Sequence, residues 1–164
     1  RVVKDELYFN KPKLNNEEKR FKELKIKLKE KKTGDIIFLS EPTENTAKFL
    51  GLNNWKEETI KAIKSHTDRE IVIHNKFSEI PLNELLQKAY AFVSCQSTAG
   101  FMSIIEGVPA FFTHNSLKEY GDIKDIEQNN LNYDLLYCAA NSQWKLKEFF
   151  SDDFKEYINK IISI

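Results

Sequence analysis

Four short apolar runs punctuate the chain, in "DIIFLSEP", "REIVIHNK", "YAFVSCQ" and "PAFFTH". Three or four apolar residues in a row, bounded by Gly, Pro, Asn or Ser, predict strands buried on both faces. Between the runs the spacing changes from continuous to helical. "NWKEETIKAIKSHT" places Trp55, Ile60 and Ile63 on one stripe, "PLNELLQKA" opens with Pro81 in a first turn, and "TAGFMSIIEG" is a short helix ended by Gly107. Strand alternating with helix predicts a parallel sheet joined by right-handed crossovers. The expected fold class is therefore α/β: a Rossmann-like parallel sheet of about four strands flanked by helices, with a helical C-terminal segment.

The ends read differently. Residues 1–13 form an irregular lead-in with one apolar patch, Leu7 to Phe9. "NNEEKRFKELKIKLKEKKTG" then predicts a helix capped by Asn15 or Asn16, with Phe21, Leu24 and Leu28 as a narrow stripe and Gly34 as its stop. Residues 41–54 read as a polar loop. Beyond Tyr120 three helical stretches are expected, at Ile123–Asn129, Tyr133–Ala140 and Lys145–Ile162. The expected organisation is one domain: lead-in and helix over 1–33, sheet core over 34–120, and packing helices over 121–164.

Composition narrows the function. With 25 basic and 25 acidic residues the formal charge is zero, so the chain as a whole lacks the footprint of a nucleic-acid binder. Its apolar runs fall short of the ~20 residues that a membrane span needs, and no signal peptide is visible. Cys95 and Cys138 lie in unrelated contexts and predict reduced thiols of a cytoplasmic protein, with peripheral attachment at the inner membrane face as an option. No C-x-x-C or H-E-x-x-H spacing is present, so no metal site is expected. There is no G-x-G-x-x-G, no Walker lysine motif and no apolar-flanked D-x-D.

In an open parallel sheet, chemistry gathers beyond the carboxyl ends of the strands. Four polar turns belong there: Ser40 to Asn45, His74 to Phe77, Gln96 to Gly100, and His114 to Ser116. The third is the most informative. Ser97 and Thr98 offer hydroxyls at a helix start, where backbone N–H groups and the helix dipole favour a phosphate, and Ala99 and Gly100 leave the backbone open to it. The same hydroxyls would also serve as an ordinary cap. In the second turn, Lys76 and His74 offer an anion a point charge and a donor, or are an exposed lysine and a strand-end histidine satisfied by the backbone. Ser40, Glu41 and Thr43 line the first. His114 and Asn115 end the fourth strand, as candidates for a ligand contact or as plain turn residues. Trp144, Tyr133 and Tyr137 form either a stacking surface or core.

The unit strand–S-T-x-G–helix–G-x-P–strand, on Ser97, Thr98, Gly100, Gly107 and Pro109, resembles the nucleotide-sugar-binding half of GT-B glycosyltransferases, in particular the capsule-polysaccharide and Kdo-type transferases. Gln143, Trp144 and Glu148 in "LLYCAANSQWKLKEF" are similar to a C-terminal segment of related sequences. The resemblance spans about residues 34–150. It implies a UDP- or CMP-linked sugar as donor substrate, no required cofactor, metal-independent transfer to a polysaccharide or lipid-linked acceptor, and an acceptor half supplied by an N-terminal domain or a partner chain. Met102 stands where the family places an acidic residue. Glu106, four residues on, is a substitute or a plain helix residue, and Glu41 is a second weak catalytic candidate. Gln96 replaces the usual Asn. Two alternatives stay open: an enzyme like UDP-N-acetylglucosamine 2-epimerase, which Met102 disfavours, and a non-catalytic α/β binding or assembly module.

Overall fold

A computed structural model describes residues 18–75, 77, 78 and 80–163. In chain order its regular elements begin with helix α1 (Lys19–Glu23), strand β1 (Ile36–Ser40), helices α2 (Glu44–Leu50) and α3 (Trp55–Lys64), and strand β2 (Ile71–His74). Helix α4 (Leu82–Lys88), strand β3 (Ala89–Ser94), helix α5 (Ala99–Ile105) and strand β4 (Ala110–Phe112) follow, then helices α6 (Asp134–Asn141) and α7 (Asp152–Ile162). Short 3-10 segments occupy Lys118–Tyr120, Ile123–Gln128 and Leu146–Glu148. The chain divides into two compact units, residues 27–132 and residues 1–26 with 133–164.

The larger unit is built on a four-stranded parallel sheet of order β2-β1-β3-β4, flanked by helices in a Rossmann-like arrangement. Side chains alternate across the sheet, as period two requires. Ile37, Leu39, Ala91, Val93 and Phe111 face one side and bury against Trp55 and Ile63 of α3 and Ile123 and Ile126 of the 3-10 segment. Phe38, Phe92 and Phe112 face the other; Phe38 and Phe92 meet with ring centres 5.4 Å apart. Continuous apolar runs are the sequence image of this two-sided burial. The strand β2 departs from the expectation of a fully buried strand. It pairs with β1 alone and forms an edge, and Ile73 is 40% exposed.

Residues 41–54, expected as a loop, contain α2. Thr43 caps it by accepting the Thr46 N–H at 3.3 Å, and Gly51 ends it at φ +64°, a left-handed value that glycine adopts without steric cost. The lysine-rich stretch corrects a second expectation. The helix α1 stops after Glu23, and Lys25 turns the backbone at φ +54°. Residues 27–33 run on without helix past the far end of α5: Lys29 N–H donates to Ile105 O at 2.9 Å and Lys32 N–H to Gly107 O at 2.8 Å. Carbonyls at a helix end lack partners within the helix, and this segment supplies them. The proposed caps Asn15 and Asn16 and the patch Leu7 to Phe9 lie outside the described residues.

In the smaller unit, Phe21 of α1 packs on Tyr137 of α6 with ring centres 5.5 Å apart. Arg20 reaches over Trp144, its guanidinium carbon 4.1 Å from the ring centre, and donates to Ala140 O, Gln143 O and Glu148 Oε2. Trp144 also meets Phe154 and Tyr157 of α7. The stretch expected to be helical over Lys145–Ile162 breaks at Ser151, whose hydroxyl accepts the Phe154 N–H and starts α7.

Candidate functional site

The direction of winding reverses once in the sheet. From β1 the chain crosses to β2 through α3, on the Ile37 and Leu39 face. From β3 it crosses to β4 through α5, on the face of Phe92 and Phe112, where Gly100 abuts Phe112. Two adjacent strands whose connections leave on opposite faces create a crevice beyond their carboxyl ends. Here that crevice lies between β1 and β3, with Ser40 aligned to Ser94 on one side and to His74 on the other. Neighbouring strands are ~4.8 Å apart, so the turns after β1, β2 and β3 open side by side.

The turn after β3 is largely self-satisfied. Ser97 N–H donates to Ser94 Oγ at 3.2 Å and Ala99 N–H to Ser97 Oγ at 3.2 Å. Gly100 N–H donates to Ser97 O at 3.0 Å and Phe101 N–H to Thr98 O at 3.1 Å. Thr98 is exposed and makes no side-chain cap, so its hydroxyl is the donor this turn presents to solvent. Gly100 faces the sheet. A methyl group there would lie 2.7 Å from two carbons of the Phe112 ring, so close helix–sheet packing accounts for the absence of a side chain. Cys95, just before the turn, is buried, and burial pushes its thiol above the ordinary value while a hydrogen bond with Thr113 opposes that rise in part.

The other sequence candidates separate into three groups. Ser40, Glu41 and His74 lie at the carboxyl edge. His74 Nε2 pairs with Ile80 O at 3.2 Å and its ring lies against Phe38, and Glu41 N–H donates to His74 O at 2.8 Å. His114 also lies there, but it organises its own turn: Nδ1 accepts the Ser116 N–H at 3.3 Å and lies 2.7 Å from Ser116 Oγ. Asn115 beside it is exposed. Glu106 is at the opposite end of α5, where it pairs with Lys29 at 2.7 Å and Lys32 at 3.7 Å. It closes a contact at the amino edge of the sheet and does not join the crevice. Lys76 lies outside the described residues. Met102 is half exposed on α5.

The segment of Gln143, Trp144 and Glu148 belongs to the smaller unit, where it grips Arg20. Glu148 also accepts the Lys145 N–H at 2.7 Å, and these two contacts, the backbone one first, hold its carboxyl below the usual range.

A cavity of about 470 Å³ opens at the carboxyl edge, on the β1–β2 side of the crevice. That volume falls within the range of small-molecule sites. Glu41, Pro42 and Thr43 form one wall, Asn75 and Phe77 another, and Asn54 to Glu57 at the start of α3 a third. Glu41 Oε1 is 3.4 Å from Lys56 Nζ. Trp55 lines the cavity and donates its indole N–H to Thr113 Oγ1 at 2.7 Å, which braces α3 against the end of β4. The turns read from the sequence include Glu41 and Thr43 by name and span Asn75 and Phe77, but not Asn54, Trp55 and Lys56. Asn54 carried a signal: it stands before an amphipathic helix, yet it sits at φ +56° and does not cap that helix with its side chain.

Among the described residues no group of His, Cys, Asp and Glu is arranged to hold a metal ion, and no helix is long and apolar enough to cross a membrane. No family model, curated protein or solved structure matches this chain.

Proposed function

We propose that the larger unit binds a nucleotide-sugar donor, UDP- or CMP-linked, and acts as the donor half of a metal-independent GT-B glycosyltransferase in surface polysaccharide or glycolipid synthesis. The observation that carries this reading is the reversal of winding between β1 and β3, which brings Ser40, Glu41 and the Ser97–Thr98 turn to one crevice beside a ligand-sized cavity. In this reading the diphosphate meets Thr98 and the helix start, by the logic of preorganised donors. Because the amides of Ser97, Ala99, Gly100 and Phe101 already have partners, binding exchanges hydrogen bonds and adds few new ones. The acceptor and the general base come from another domain or chain.

The same internal pairing, together with the remoteness of Glu106, favours a second reading: an α/β module that binds without catalysing. Thermal shift with UDP, CMP, GDP and their sugars, in the presence of a chelator, tests the first. Stabilisation by a sugar nucleotide, reduced at least several-fold in affinity by Thr98→Ala, is expected. No shift with any of them at millimolar concentration would leave only the second.

A further inference from the structure

The lining of the β1–β2 cavity has a chemistry of its own. Its described walls carry three carboxylates, Glu41, Glu44 and Glu57, against one ammonium, that of Lys56, which Glu41 already approaches at 3.4 Å. Glu44 and Glu57 occupy the first turns of α2 and α3, where the helix dipole accounts for them. For a phosphate, however, they are like charges at the wall, and its entry is disfavoured. A hydroxyl-rich ring meets none of that opposition.

The remaining groups match such a ring. Hydroxyls both donate and accept, and the walls offer carboxylates that accept and amides that do both. Asn75 uses its side-chain oxygen to take the Phe77 N–H at 2.9 Å, and Asn75 N–H itself goes to Ser78 Oγ at 3.1 Å. This small turn presents Phe77, 86% exposed at the cavity rim. An aromatic ring on display, carried on a backbone turn that hydrogen bonds hold, is a platform for the apolar face of a sugar. Asn54 also lines the cavity, with an amide that the helix does not use as a cap.

We infer that this cavity is a saccharide site: it takes one uncharged, hydroxyl-rich sugar ring between Phe77 and Asn54, with Glu41 and Asn75 as hydrogen-bond partners, and it excludes phosphate. The inference deepens the donor-domain reading and relies on it only for the identity of the sugar carrier. Donor and acceptor sugars share this chemistry, and the probes below separate them.

The test is a titration of the isotope-labelled chain followed by backbone amide NMR, with glucose, galactose and N-acetylglucosamine, then inorganic phosphate, UDP, UDP-glucose and UDP-N-acetylglucosamine. Concentrations reach about 50 mM, enough to populate a millimolar complex. At least one free sugar is expected to move resonances of residues 41–44, 54–57 and 75–78, while phosphate leaves them in place. Asn54→Gly keeps the left-handed backbone and removes the amide, and Phe77→Ala removes an exposed ring; each is expected to weaken the sugar about tenfold with an otherwise unchanged spectrum. If UDP-sugars engage the cavity more tightly than free sugars, it holds the donor sugar, and the reverse order assigns it to the acceptor. If no sugar moves these resonances, or if phosphate moves them equally, the inference is overturned. UDP binding near residues 97–100 without any sugar response would leave the donor reading standing while this one fails. A sugar response without any nucleotide binding would do the opposite.

Discussion

Gly100 offers the sharpest test of how the β3–α5 turn is built. In a helix whose exposed face awaited a ligand, replacing glycine by alanine would stabilise the protein by about 1 kcal/mol, through reduced backbone entropy in the unfolded chain. In the observed packing the new Cβ lies 2.7 Å from Cε1 and Cζ of Phe112, and 3.5 Å from Phe92. Carbon atoms prefer about 3.5–4.0 Å, so the overlap with Phe112 approaches ~1 Å. Phe112 is fully buried and cannot swing into solvent. Overpacking of this kind costs about 1–3 kcal/mol. Subtracting the helix gain of about 1 kcal/mol predicts a net loss of about 0–2 kcal/mol for Gly100→Ala. Urea denaturation, followed by circular dichroism and tryptophan fluorescence together, measures it. The decisive arm is the double mutant: Phe112→Leu makes room, and a coupling of at least about 0.5 kcal/mol is expected between the two sites. A stabilised Gly100→Ala with no coupling would refute the packing account and return this glycine to the role of leaving backbone open to an anion.

Two further outcomes concern stability. Arg20→Lys in the smaller unit removes the planar fork that serves Ala140 O, Gln143 O and Glu148 at once; a loss of about 1–2 kcal/mol is expected in chemical denaturation, and wild-type stability would show that a point charge suffices. The Glu127 carboxyl is held below the usual range, first by the hydrogen bond from Arg69 and then by Thr67. Its contribution is therefore present above the ordinary glutamate pKa and fades as pH falls through the lowered folded value. The half-exposed setting limits it to about 0.5–1 kcal/mol, so wild type and Glu127→Gln should differ by that amount at pH 7 and converge in acid; a gap that persists at low pH would contradict this.

The sheet was legible because its signal is dense. Runs such as Ile36–Leu39 and Ala91–Val93 are apolar at every position, and only a strand covered on both faces needs that. Strand order, and with it the crevice, was not legible, because apolar runs do not record their neighbours; β2 reads like β1 yet lies at an edge. The lysine-rich stretch misled through its helical spacing. One apolar residue per turn is too narrow a stripe to hold a helix, and the carbonyls at the end of α5 take the chain instead. The helix α2 left a readable trace in Thr43 and Gly51, a cap and a stop eight residues apart. At the candidate site, the turns after β1 and β3 could be predicted from polarity and glycine. The cavity could not, because Asn54 and Trp55 enter it through the start of α3, and only the fold brings that end of the helix to the strand tips. Gly100 was read as space for a ligand, a use that sequence cannot distinguish from space for a neighbouring ring.

The bracing of Trp55 against Thr113 has a practical consequence. Of the two tryptophans in the chain, Trp144 lies beneath a guanidinium in the smaller unit, and Trp55 forms part of the cavity wall. The indole emission responds to changes in the polarity and hydrogen bonding around it, so the molecule carries an unlabelled optical reporter at the place where a guest would arrive.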